Sequence, residues 1–222
     1  MTSTSSLQNT EFVHESDAYF ERNKDNLPQK ADDRALAYFR RFGLKRTERL
    51  LDIGCFTGFH LDWIREEFGC ECHGIEPSRK AIEYGTKKYP QLSLKVGFAH
   101  QLDGYDDQAF DVVMIRGTFC LVGRELLLAT VAQIDRVLKD GGRLIIEDFD
   151  PHSVQRTQWR HLPGKEVYCY KQPYWEIFTA TRVYSLTYAE EGLLDPQEGP
   201  APRNLFKYVV LTKELFGAYP IL

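Results

Sequence analysis

The chain has 222 residues, 43% of them hydrophobic, and 28 lysines and arginines against 32 aspartates and glutamates leave a net charge of -4. That length suits one α/β domain with a sizeable core, and the mild acidity excludes a basic surface that grips nucleic-acid phosphates. No apolar run approaches ~18 residues, so no membrane span is expected.

The opening "MTSTSSLQNT" is rich in Ser and Thr, and residues 1–10 are expected to be disordered. It lacks the charged-then-apolar layout of a signal peptide, so a cytoplasmic protein is expected. "EFVHESDAYFERNKDNLP" reads as helical up to Pro28, and "DDRALAYFRRFGL" as a second helix stopped by Gly43. Together, 11–45 form an N-terminal helical cover.

From Arg49 strands alternate with helices. "RLLDIG", "CECHGIE", "LSLKVG", "AFDVVMIRG" and "RLIIEDFD" read as strands. "FHLDWIREEFG", "PSRKAIEYGTKKYP" and "RELLLATVAQIDRVLKDGG" read as the helices between them, the last ending on two glycines. Such alternation implies βαβ units and a parallel sheet covered on both faces. After Asp150 the pattern dissolves into the aromatic and basic stretch "PHSVQRTQWRHLPGKEVYCYKQPYWEIF", which has no clean periodicity. "TRVYSLTYAEE" and "NLFKYVVLTKEL" follow without a helix between them, as an antiparallel edge pair.

The five cysteines are odd in number and three lie in apolar or aromatic surroundings, as in a reducing compartment. Cys70-Glu71-Cys72 has the wrong spacing for a zinc knuckle, and no metal is implied.

The turn after the first strand carries the chemistry. Gly54 and Gly58 flank Cys55-Phe56-Thr57, just where a ligand lies beyond the strand ends of a doubly wound sheet. A dinucleotide loop would place its further glycines at Phe56 and Phe59, so a pyrophosphate cradle is disfavoured. Glu76 ends the second strand and has two acceptor oxygens for a pair of ribose hydroxyls, whether of NAD or of another nucleoside.

"LLDIGCFTG" resembles the first motif of class I S-adenosylmethionine-dependent methyltransferases: Asp52, Gly54 and Gly58 match, and Phe56 departs from the middle glycine. "CHGIEPS" and "RVLKDGGRLIIEDFD" extend the resemblance over roughly residues 45–150. It implies a Rossmann-like fold: a doubly wound, mostly parallel seven-stranded sheet with an antiparallel edge pair, in a single domain over 1–222. It also implies S-adenosylmethionine as cofactor. Asp52 would hold the amino group, and Gly54, Cys55 and Gly58 would shape the turn. Glu76 and Pro77 would meet the ribose, Phe98 and Ala99 the adenine, and Arg116 and Gly117 would line the cleft. A weaker similarity to bacterial methyltransferases of sugar and nucleotide-sugar pathways implies that Tyr19, Arg22 and Asn23 close over the cofactor. The insertion at 151–180 would then hold a small, polar, sugar-like substrate, methylated on oxygen or nitrogen. His152 and His161 are the candidate general bases, since an imidazole titrates near neutrality. An NAD(P)-dependent oxidoreductase and a catalytically silent cofactor-binding protein remain alternatives. Oligomeric state is not legible.

Overall fold

A computed structural model describes residues 15–193, 205–217 and 219. The disorder expected for 1–10, the first residues of the N-terminal cover and most of the loop at 192–202 lie outside the described residues.

The chain opens with a helix over 15–23, α1, and a second, α2, over Arg34–Phe42. Asp33 caps α2: its carboxylate accepts the Leu36 N–H at 2.8 Å, satisfying a donor that has no partner within the helix. The alternating region follows as β1 (Arg49–Ile53), α3 (Phe59–Phe68), β2 (Glu71–Glu76), α4 (Arg79–Lys88), β3 (Ser93–Val96) and β4 (Phe110–Arg116). After β4 come α5 (Leu127–Val137) and β5 (Leu138–Phe149). The helix gives way at Leu138, before the two glycines, because Leu138 already pairs with Phe110 across a register shift and draws "KDGG" into the strand.

The 151–180 segment contains order that its periodicity did not announce. β6 (Gln155–Gln158) and β7 (Tyr168–Lys171) pair antiparallel in a separate two-stranded sheet, followed by the short helix α6 (Trp175–Thr179). β8 (Tyr184–Leu193) and β9 (Leu205–Lys213) then complete the main sheet.

The main sheet runs β3-β2-β1-β4-β5-β9-β8. β1 pairs parallel with both β2 and β4, so the strand order reverses there and leaves a crevice at the carboxyl ends. β9 is antiparallel to β5 and β8 antiparallel to β9. The last two strands are thus an antiparallel pair, with β9 alone reversed. One face packs Leu36, Phe39, Leu50, Ile64 and Tyr208 under α2 and α3, and the other packs Leu51, Val113, Ile134 and Leu144 under α5. Among the described residues no helix is long and apolar enough to cross a membrane.

Candidate cofactor and acceptor site

The turn after β1 is built around backbone that only glycine adopts easily. Gly54 has φ 79° and lies so close to the loop after β4 that a Cβ would sit 2.1 Å from Thr118 Oγ1. Gly58, φ 81°, opens α3 in the same left-handed region. Phe56, between them, is also left-handed at φ 53°. This is why the position favours glycine, and why a side chain there points away from the turn. The Phe56 ring leaves the loop towards α1, 5.7 Å from Tyr19 and 5.8 Å from Phe20. It forms part of the roof over the turn.

Two nearly buried carboxylates flank the turn. Glu76, 8% exposed, accepts the Phe56 N–H at 3.2 Å and the Ser78 N–H at 3.0 Å, one on each oxygen. Each oxygen keeps a further lone pair. Burial pushes its pKa up to about 7, against the pull of the two N–H groups. Asp52, 3% exposed, accepts no side-chain hydrogen bond from any described residue, and burial pushes it up to about 6 despite Arg116 nearby. A buried carboxylate without a donor is costly, and a cationic ligand group would satisfy it.

Beneath Asp52 lies a buried charge network that sequence reasoning missed. Asp33 Oδ2 is 3.1 Å from Arg116 Nη1 and 2.5 Å from His60 Nδ1. Arg34 pairs with Glu147 at 3.1 Å. Burial would raise the pKa of Asp33, but His60 and Arg116 hold it well below the usual carboxylate range. His60 is brought down to about 4 by burial and by Arg116. Only the capping position of Asp33 before "RALAYF" hinted at any of this.

The other cofactor candidates distribute as follows. The Cys55 thiol turns into the core against Gly74, and its N–H donates to the Ile75 carbonyl. Pro77 is half-buried beside Glu76. Phe98 and Ala99 are half-buried after β3, and Phe98 lines a cavity of about 330 Å³ with Ile75, Gln101, Leu102 and Tyr105. Gly117, φ 58°, meets open space where a side chain would be. The Arg116 guanidinium, expected to line the cleft, is directed at Asp33 and at Glu147, 3.9 Å away. Its Nη1 faces both carboxylates.

α1 bridges the two sides of the crevice. At one side Asp17 accepts hydrogen bonds from Ser78 Oγ at 2.7 Å and Lys80 N at 3.2 Å. At the other, Glu15 accepts the Trp159 indole N–H at 2.8 Å and pairs with Arg22. Tyr19 and Arg22 therefore lie on a helix held between α4 and the 151–180 segment, and Asn23 turns back to bond the Tyr19 carbonyl. His152 is exposed in the bend after β5. His161 is half-buried, and its Nε2 accepts Arg160 Nε–H at 3.1 Å. The imidazole in that arrangement presents Nδ1–H, a donor, and its Nε2 lone pair is not free to take a proton.

A methyltransferase-domain family model matches residues 51–146, the stretch from the β1 turn into β5. Over residues 51–146 the chain therefore carries a methyltransferase domain. This favours methyl transfer over the oxidoreductase alternative. Among curated proteins, the chain is similar to dTDP-3-amino-3,4,6-trideoxy-alpha-D-glucopyranose N,N-dimethyltransferase of Streptomyces venezuelae. The two are 31% identical over 136 residues, which is 59% of this chain and 54% of that protein. It is also similar to the S-adenosylmethionine-dependent methyltransferase UmaA of Mycobacterium tuberculosis, 23% identical over 193 residues, 86% of this chain and 63% of that one. The chain thus spans just over half to under two thirds of the length of these relatives. Its fold is shared with the Burkholderia thailandensis 1,6-didemethyltoxoflavin-N1-methyltransferase, solved with its substrate and S-adenosylhomocysteine. That match has TM-score 0.67 and 13% identity, and covers 95% of this chain and 88% of that one.

Proposed function

We propose that the chain transfers a methyl group from S-adenosylmethionine to an oxygen or nitrogen of a small, polar, sugar-like acceptor. The observation that carries this reading is the pair of buried carboxylates at the strand ends: Asp52 lacks a donor and Glu76 retains two lone pairs. The first suits an ammonium and the second a pair of ribose hydroxyls. Arg116, the basic group near Asp52, is turned to Asp33 and Glu147 rather than to a diphosphate, and Phe56 occupies the place where a pyrophosphate would need bare backbone. The Streptomyces relative is an N,N-dimethyltransferase of a dTDP-sugar, which supports the sugar-like class of acceptor.

When bound, S-adenosylmethionine supplies an electrophilic methyl group on a sulfonium. The residues of this chain bind and orient around it. Gly54 and Gly58 let the turn approach the amino-acid end, with the Cys55 main chain between them. Glu76 and Pro77 would hold the ribose, Phe98 and Ala99 would flank the adenine, and Gly117 would leave the wall open. Arg116 acts through charge: it offsets the repulsion among Asp33, Asp52 and Glu147, so that Asp52 can stay ionised. Tyr19 and Arg22 on α1 cover the crevice and exclude water, and aligning the acceptor accounts for several kcal/mol of the barrier. A protonated acceptor needs a base; of the two candidate histidines, His152 keeps both ring nitrogens for the task, and His161 is committed to Arg160.

The reading takes residues 1–222 as one domain, with a helical cover at 11–45 and a substrate-side insertion at 151–180. It places the protein in the cytoplasm, where its five free cysteines stay reduced, with no nucleic-acid partner. Thermal melts decide the cofactor: S-adenosylhomocysteine should raise the melting temperature with a dependence on ligand concentration over Kd, and NAD should not. The opposite pattern would overturn the proposal. Screening polar acceptors for S-adenosylhomocysteine release then identifies the substrate.

A further inference from the structure

Basic side chains gather where α1 meets the loop after β6. Arg22 pairs with Glu15, which also accepts the Trp159 indole N–H, and Arg160, next along the chain, donates to His161. Glu15 is already engaged: it is 4% exposed and accepts from Trp159 as well as Arg22. Arg160 is exposed, and among the described residues it pairs with no carboxylate. In a protein of net charge -4, an exposed guanidinium without a carboxylate partner among the described residues is open to an anionic ligand.

This cluster is connected to the cofactor turn rather than scattered on the surface. Tyr19 lies one helical turn from Arg22, its ring packs edge-on against Phe56, and the Phe56 N–H is bonded to Glu76. Burial raises the Tyr19 pKa, with Glu76 acting in the same direction and Arg22 and Arg160 opposing it. Trp159 is pinned by its indole N–H, and the His161 ring stands 5.3 Å from it. The aromatic wall is therefore ordered before any ligand arrives, which lowers the entropic cost of binding.

We propose that Arg160 and Arg22, with the His161 Nδ1–H, form a subsite at the crevice mouth for an anionic group of the acceptor, a phosphate or a carboxylate. The inference rests on the methyl-transfer reading and adds the charge of the acceptor to it. A planar guanidinium binds either anion through two parallel hydrogen bonds. The anion stays at the rim and places the rest of the acceptor inward, towards Tyr19.

Calorimetric titration of the full chain saturated with S-adenosylhomocysteine provides the test. Pyrophosphate serves as the phosphate probe and malate as the carboxylate probe. At least one should bind, and R160A should weaken it about tenfold or more, about 1.4 kcal/mol. R160K should fall between R160A and wild type, because an ammonium keeps the charge and loses the fork. K87A, remote on α4, should bind the anion as wild type does. Preference for pyrophosphate identifies a phosphorylated acceptor, and preference for malate an acid. The subsite is refuted if neither anion binds, or if R160A binds as wild type. S-adenosylhomocysteine affinity, measured first on each protein, should stay within about twofold. Its absence in the wild type would instead bring down the cofactor reading itself, so the two failures are distinct.

Discussion

The two walls of the crevice are built on different principles. The cofactor wall, from β1 to the loop after β4, presents main chain and buried carboxylates: the Gly54 turn, the Phe56 and Ser78 N–H groups on Glu76, and Asp52 at a strand end. The proposed acceptor wall, from β6 to β7, presents side chains on a small hairpin: Trp159 tied to Glu15, Arg160 to His161, and Arg156 over Tyr168 at 4.4 Å. The first is set by the sheet and admits little variation. The second can change its residues without disturbing the sheet, so it is the natural place for acceptor specificity. If this division is right, damage to one wall should show in cofactor affinity and damage to the other in turnover.

The largest effect should come from Gly54→Ala. A left-handed backbone and a Cβ 2.1 Å from Thr118 Oγ1 should cost about 3 kcal/mol of stability and abolish S-adenosylhomocysteine binding, read by melting and calorimetry. A variant that binds normally would break the claim that the turn needs this approach. His152→Ala should slow methyl transfer about 100-fold with the cofactor Kd unchanged. Turnover at the wild-type rate would remove His152 from the chemistry. Glu76→Ala should weaken S-adenosylhomocysteine about 10- to 100-fold, since hydrogen bonds to a charged group are lost, while the acceptor KM stays the same.

A pH series sharpens the contrast further. Burial lifts Glu76 from 4.5 to about 7 and Asp52 from 3.8 to about 6. Both bind protons more tightly folded than unfolded. Their contribution is present at low pH and is lost as pH rises through about 4 to 7. Glu76→Gln should flatten that part of the ligand-free stability curve, by up to about 3 kcal/mol. A variant curve parallel to wild type would refute the shift. The smallest effect should be that of Glu15→Gln, which weakens the pairing with Arg22 and should cost about 1 kcal/mol or less, with faster amide exchange in 155–171. Unaltered exchange there would detach α1 from the acceptor wall.

Legibility in the sequence followed the same division. Apolar strands such as "DVVMI" alternate with amphipathic helices because a sheet covered on both faces demands it, and that pattern yields the parallel sheet, while the count of seven strands came with the resemblance. Asp52, Gly54 and Glu76 could be singled out because strand ends and tight turns constrain residue type. β6 could not: Gln155-Arg156-Thr157-Gln158 is polar, and only its backbone ladder to Tyr168–Lys171 makes it a strand. The Arg116 network was hidden because its partners Asp33, His60 and Glu147 are far apart in sequence, and no local pattern records such pairing. Phe56 departed from the motif in residue type and kept its backbone conformation.

Thr118 fills the space that a side chain at position 54 would need, and its hydroxyl bonds the Ile53 and Arg116 carbonyls at 3.4 and 3.1 Å. The first and fourth strand ends are thereby welded through one small residue. The floor between them is cast when the sheet forms, not when a nucleoside arrives, so arriving ligands must find their adjustment in the roof.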